Sequence, residues 1–103
     1  MQFLVIAYDF TDPAALTRRL AIRADHIAMS DKLIITGNQI MAVALLDDAG
    51  KMNGSAMICE YQTRAELDAW LQVEPYVVGK VWDQIDILPC KVGPSFVHLL
   101  AKH

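Results

Sequence analysis

Apolar residues follow different rhythms in successive parts of the chain. "QFLVIAY", residues 2–8, is β-branched and aromatic and too short for a helix, so it reads as a strand. Asp12-Pro13 then offers an N-cap followed by proline at the first helical position. A helical period runs from about Pro13 to about Asp31, with Leu16, Leu20, Ala24 and Ile27 as the expected core stripe. Gly37-Asn38 breaks a short extended piece from a longer strand near Ile40 to Leu46. The turn-rich "DDAGKMNG" leads into "SAMICEY", which predicts a hairpin. Thr63 with Glu66 three residues on forms a capping box, opening a helix through about Gln72. "VEPYVVGK" predicts a turn with one helical turn after Pro75, and "VWDQIDIL" a last strand ended by Pro89.

The order βαββαβ suits an α+β, ferredoxin-like sandwich, a four-stranded antiparallel sheet with two helices on one face. A sheet covered on one side should alternate apolar and polar residues. "FLVIAY" and "IMAVALL" do not; they are apolar on both faces. The economical cover for the second face is the same face of another copy, so a homodimer packed sheet to sheet is expected. No repeat or domain boundary interrupts the chain. Residues 1–92 read as one domain and residues 93–103 as a C-terminal extension with an apolar centre.

Composition narrows the possibilities. With 103 residues, 54% hydrophobic and 20% charged, the chain has the makings of a single folded core. A net charge of −3 without a basic stripe argues against binding a nucleic-acid backbone. No apolar stretch is long enough to span a bilayer, and the N-terminus lacks the basic region and cleavage site of a signal peptide. Cys59 and Cys90 show no metal-ligand spacing and make no disulfide framework, which suits a reducing, cytoplasmic setting. No phosphate loop, nucleophile elbow or dinucleotide fingerprint occurs, and no cofactor or metal is expected. Cys59 reads as an inert buried thiol, and His98 and His103 as surface groups of the tail.

Candidate chemistry gathers on the first helix. Arg19, Arg23 and His26 are spaced i, i+4, i+7 and share one edge beside the expected core stripe, with Arg18 and Asp25 opposite. Three potentially cationic groups on one edge call for an anion or carboxylate across from them. Arg23 suits the anchoring of a ligand carboxylate or phosphate, because a guanidinium grips such groups as a fork. Arg19 either joins it or pairs with Asp9 or Glu74. His26 is either a hydrogen-bonded helix-edge imidazole or a proton-transfer group, the latter if a carboxylate fixes its tautomer. Pro75 holds Glu74 in an extended conformation, as a placed carboxylate requires. Tyr8, Tyr76 and Ser55 stand at strand ends or loops near the expected pocket.

Taken in order, these segments resemble the YCII-related proteins, small dimeric α+β barrel proteins found mostly in bacteria. "RLAIRADH" is similar to that family's R-L-x-x-R-x-x-H on the first helix, Gly37 to its glycine, and "GSAMICEY" to its Gly-Ser strand entry. "EPYVVGKVWDQIDILPCK" resembles its Asp-Pro-Tyr, glycine, strand and Pro-Phe-Lys segment. The resemblance implies an active site built on a His–Asp pair, His26 with the acidic residue before Pro75. That residue is Glu74 here, Cys90 replaces a phenylalanine, and Ala24 stands where proline is common.

Two functions from different classes follow. The first is a small cofactor-independent enzyme, with His26 as general acid/base oriented by Glu74, acting on a small anionic or aromatic molecule. Some relatives are dehydrochlorinases of hydroxylated aromatics, so the resemblance implies proton-transfer or elimination chemistry. The second is a non-catalytic binding or accessory domain, favoured by the change from Asp to Glu, because catalytic geometry tolerates a displaced carboxylate badly. Monooxygenase-like chemistry, known on other dimeric α+β barrels, ranks third because nothing in the sequence specifies a haem or flavin contact.

Overall fold

A computed structural model describes residues 1–100. Its elements are β1 (Gln2–Asp9), α1 (Ala15–Thr36), β2 (Gln39–Leu46), β3 (Met52–Glu60), α2 (Arg64–Leu71), α3 (Pro75–Val78) and β4 (Trp82–Cys90). A 3₁₀ segment, Pro94–Leu99, follows. The strands form one antiparallel sheet in the order β2-β3-β1-β4, and the helices lie on one face of it. This is the ferredoxin-like βαββαβ arrangement expected from the pattern.

Alternation along the strands separates two faces. Phe3, Val5, Ala7 and Asp9 of β1 point toward the helices and are buried, as are their β3 partners Cys59, Met57 and Ser55. Leu67 and Trp70 of α2, with Tyr76, Val81 and Trp82, complete the buried core. An irregularity in the β1–β4 register after Tyr8 pairs Asp9 with Trp82 and turns Trp82 to the inner face that Asp9 already shares. Leu4, Ile6, Tyr8, Ile58 and Leu88 share the other face, which α1, α2 and α3 leave uncovered. Both central strands thus carry apolar residues on two sides, as "FLVIAY" foretold.

Half of the expected capping box forms. Glu66 N–H donates to Thr63 Oγ1 at 3.2 Å, while Glu66 Oε2 accepts from Gln62 N–H rather than from the cap residue itself. The single helical turn after Pro75 is α3.

Three expectations need correction. First, α1 begins later and runs further than Pro13–Asp31. Its N-cap is Ala14, and Asp12 accepts from Ala14 N–H instead of capping the helix. Leu33–Thr36, read as extended, are its last turn; Gly37, at φ 82°, ends it by donating its N–H to the Ile34 carbonyl. Second, the core stripe is not Leu16, Leu20, Ala24 and Ile27. The inward face is Ala15, Arg19, Ile22, His26, Met29 and Leu33, whereas Leu20 is 55% and Ile27 41% exposed. The helix is rotated because Arg19 and His26 find buried polar partners, described below, which removes the cost of placing them inside. Third, Pro89 does not end β4; it pairs with Phe3 inside the strand. β4 is an edge strand, where a missing N–H costs no ladder bond.

Candidate functional site

The site lies between α1 and the β1–β3 end of the sheet. Arg19, only 3% exposed, projects inward and donates through Nη1 to both carboxylate oxygens of Asp9, at 2.9 and 3.0 Å. Its Nη2 donates to Ser55 Oγ at 2.9 Å, and Trp82 Nε1 donates to the same hydroxyl at 3.2 Å. Burial pushes the Asp9 carboxyl above its ordinary value, against the lowering effect of the Arg19 hydrogen bond and charge. A buried pair of this kind is costly to break, because the survivor is left as an unpaired charge.

Nearly two helical turns further on, His26 Nδ1 contacts Glu74 Oε1. Glu74 is 1% exposed and extended at φ −61°, ψ 124°, as the following proline requires. The same Oε1 accepts from Tyr76 N–H at 3.3 Å and thereby caps α3. One carboxylate oxygen therefore serves the local turn and the distant imidazole together. With Glu74 ionised, Nδ1 of a neutral His26 carries the proton and Nε2 is left as the acceptor.

Aromatic rings and the guanidinium hold the imidazole in place. Tyr76 stacks on His26 with centroids 3.9 Å apart and planes 8° from parallel, and Trp82 meets His26 edge-on at 5.8 Å. The Arg19 guanidinium lies 4.9 Å over the Tyr76 ring. Burial raises the pKa of the Tyr76 hydroxyl. The layers from Arg19 through Tyr76 to His26 leave the histidine little rotational freedom.

A cavity of about 240 Å³ opens beside this stack. Arg19, Arg23, His26, Ser30, Ser55 and Tyr76 supply its polar wall; Ile27 and Met52 with Met57 and the β2 residues Ala42, Val43 and Ala44 supply the apolar one. Glu74 sits behind His26, out of the cavity. Arg23 is exposed at its rim and forms no ion pair among the described residues.

The structure thus brings together His26, Glu74, Arg19, Arg23, Tyr76 and Ser55. Tyr8 is not among them: it lies on the uncovered sheet face, 44% exposed and paired with Gly54 and Gln84, because strand alternation sends it opposite to Asp9. Arg19 resolves to Asp9 and not Glu74. Sequence reasoning missed Trp82, which carries no motif, and Ser30, which its spacing i+4 from His26 and i+7 from Arg23 could have revealed. Cys59 is buried, and burial pushes its thiol up to about 12, as an inert thiol requires. His98 is exposed, and His103 lies outside the described residues. Among the described residues, no helix is long and apolar enough to cross a membrane.

Known proteins share the fold. The chain is 29% identical over 97 residues to Protein YciI of Escherichia coli O6:H1, covering 88% of this chain and 97% of that protein, and equally to Protein YciI of Shigella flexneri. Among solved structures it is similar to a 5-chloro-2-hydroxyhydroquinone dehydrochlorinase (TftG) from Burkholderia phenoliruptrix AC1100 in complex with 2,5-dihydroxybenzoquinone. The TM-score is 0.77 at 22% identity, over 92% of this chain and 98% of that one. An antibiotic biosynthesis monooxygenase matches with a TM-score of 0.53 at 17% identity, over 89% of this chain and 99% of that one. At these identities the solved structures speak for the fold, which they share as dimeric α+β barrel proteins. The YCII-related domain matches residues 1–91, and the chain belongs to that family.

Proposed function

We propose that this YciI-like protein is an enzyme that moves a proton on a small, oxygen-rich aromatic or anionic molecule, with His26 Nε2 as the acid/base and Glu74 as its orienting partner. The observation that carries this reading is the contact of a 1% exposed carboxylate with the ring nitrogen facing away from the reaction, while His26 itself lines the cavity. A carboxylate so placed steadies the imidazolium formed when Nε2 takes a proton. Arg23 at the rim holds the ligand's anionic end, and Ile27, Met52 and Met57 offer its ring an apolar surface. Elimination is the reaction class that the neighbouring dehydrochlorinase suggests. The step starts from the keto tautomer in which the chlorine-bearing carbon carries a hydrogen. His26 takes the proton of the hydroxyl para to the ketone, the O–H pair becomes a new C=O bond, and the ring double bond shifts as C–Cl breaks. Chloride leaves with its bonding pair, a hydroxybenzoquinone remains, and the imidazolium returns the proton to water.

The test is chloride release from 5-chloro-2-hydroxyhydroquinone. The wild-type protein is expected to release it, and His26→Gln to do so slower by roughly 10²–10⁴-fold. A His26→Gln protein working at the wild-type rate overturns the mechanism. The alternative, binding without turnover, draws on the extra methylene that Glu74 brings to the family's His–Asp pair. It predicts that 2,5-dihydroxybenzoquinone raises the melting temperature and is recovered unchanged, with no chloride released from the chlorinated compound.

The same proposal includes a homodimer through the open sheet face. Tyr8, Met41, Val43 and Leu88 are 44%, 47%, 52% and 48% exposed there. Phe96 and Leu99 of the 3₁₀ segment join Leu4, Met41 and Ile58 around an apolar cavity of about 320 Å³ on that side. An apolar surface of this extent is expected to be covered by a second sheet. Light scattering that finds a monomer at micromolar concentration would remove this part of the reading.

A further inference from the structure

The rotation of α1 leaves a second apolar stripe that nothing among the described residues covers. Leu20, Ile27 and Ile34 recur every seven residues, with Ala24 between the first two, and are 55%, 41% and 58% exposed. At 1.5 Å per residue the stripe is about 21 Å long. It is separate from the open sheet face, lying on the outer side of the helix layer.

Two charges mark its centre. Arg23 and Asp31 stand four residues before and four residues after Ile27, both are exposed, and neither is in an ion pair among the described residues. On one helix they are about 12 Å apart along the axis, too far to neutralise each other. Asp31 also lies nearly in line with Leu20 and Ile27, so any apolar partner laid on the stripe would bury an unpaired carboxylate. The partner must therefore bring a cation to that point.

A second copy of α1 does so. Laid antiparallel about a two-fold axis through Ile27, it sets Leu20 against the partner's Ile34 and Ile27 against the partner's Ile27. The same operation sets Arg23 against the partner's Asp31, twice by symmetry. Ala24 and Ala28, both small and exposed, permit close approach of the helices. We infer that the outer stripe of α1 is a self-association surface, paired antiparallel with the same stripe of a second copy and fixed in register by reciprocal Arg23–Asp31 ion pairs. Because Arg23 also lines the rim of the cavity, the partner's Asp31 stands at the entrance of the site. A guanidinium has five donors, enough to hold that carboxylate with one edge and a ligand oxygen with another.

The experiment is light scattering on the full chain at micromolar concentration, with circular dichroism to confirm folding. Ile27→Glu is expected to halve the mass of the wild-type species, and Met41→Glu on the sheet face to leave the effect of Ile27→Glu in place. Arg23→Asp and Asp31→Arg each set like charges opposite one another and are expected to lower the mass in the same way. The double variant R23D/D31R reverses both signs and is expected to restore it. A mass unchanged by Ile27→Glu overturns the inference, as does a double variant no better than its parents. Binding of the stripe to anionic lipid vesicles with no change of mass in any variant overturns it too.

Discussion

Tyr76 lies flat on His26, with ring centroids 3.9 Å apart, and turns its other side to the guanidinium of Arg19. Tyr76 is 1% exposed, so the ring is both part of the core and the wall that orients the imidazole. Truncating it opens a large cavity. Tyr76→Ala is expected to cost roughly 3–5 kcal/mol in urea unfolding. Tyr76→Phe, which keeps the stack, is expected to cost less than about 1 kcal/mol. Equal losses for the two variants would mean that the hydroxyl, not the stack, matters.

The shared oxygen of Glu74 makes His26 and the α3 turn interdependent. Glu74→Ala removes a helix cap, worth about 1 kcal/mol, together with the imidazole's partner. His26→Ala leaves a buried carboxylate without its imidazole, a loss of roughly 3 kcal/mol. The double variant should be less unstable than the two losses added together, with a coupling of about 0.5–3 kcal/mol in a double-mutant cycle. Additive losses would show that the contact contributes no energy.

Two aspartates at the start of the chain respond to acid in opposite senses. Hydrogen bonding to Arg18 lowers the Asp12 carboxyl to about 2, from an ordinary 3.8. Its contribution to stability is therefore complete above about 3.8 and is lost as the pH falls through about 2. The raised carboxyl of Asp9 has the reverse sign, contributing most below the ordinary value and less as the pH rises through its own. Asp12→Asn should accordingly be less stable than wild type at pH 5, by a margin that shrinks as the pH is lowered to about 2. The difference is small, since the Arg18–Asp12 pair is open to solvent, and urea midpoints at the two pH values will measure it.

Gly79 is where α3 meets α1. A Cβ there would stand 2.1 Å from Ile22 Cδ1 and 2.9 Å from the Pro75 carbonyl oxygen. Gly79→Ala is expected to destabilise by roughly 1–3 kcal/mol. Ile22→Val removes the nearer atom, so the double variant should be more stable than Gly79→Ala alone. A double variant weaker than Gly79→Ala would place the strain at the Pro75 carbonyl.

The architecture was legible because each element carries its own local signal: the Thr63 cap, the Pro75 turn, the β-branched strands. So was the partnership of His26 with Glu74, though through family resemblance and not through spacing, since 48 residues separate them. The inward face of α1 was not legible. Hydropathy assigns Leu20 and Ile27 to the interior, yet Arg19 and His26 occupy it, because Asp9, Ser55 and Glu74 reach them from other elements. A rule that scores residues one at a time cannot see partners that only the tertiary fold supplies. The last turn of α1 was hidden for another reason: Ile34, Ile35 and Thr36 favour extended chain, and the helix keeps them through the tertiary packing of its earlier turns and the Gly37 stop.

Ala42 and Ala44 lie on the helix-facing side of β2 and yet are exposed, since α1 does not reach over them. The width of whatever guest the chamber admits is thus governed by two methyl groups on a border strand, remote from the proton-handling residues. Evolution can widen or narrow the berth there, one side chain at a time, and leave the reactive end of the protein untouched.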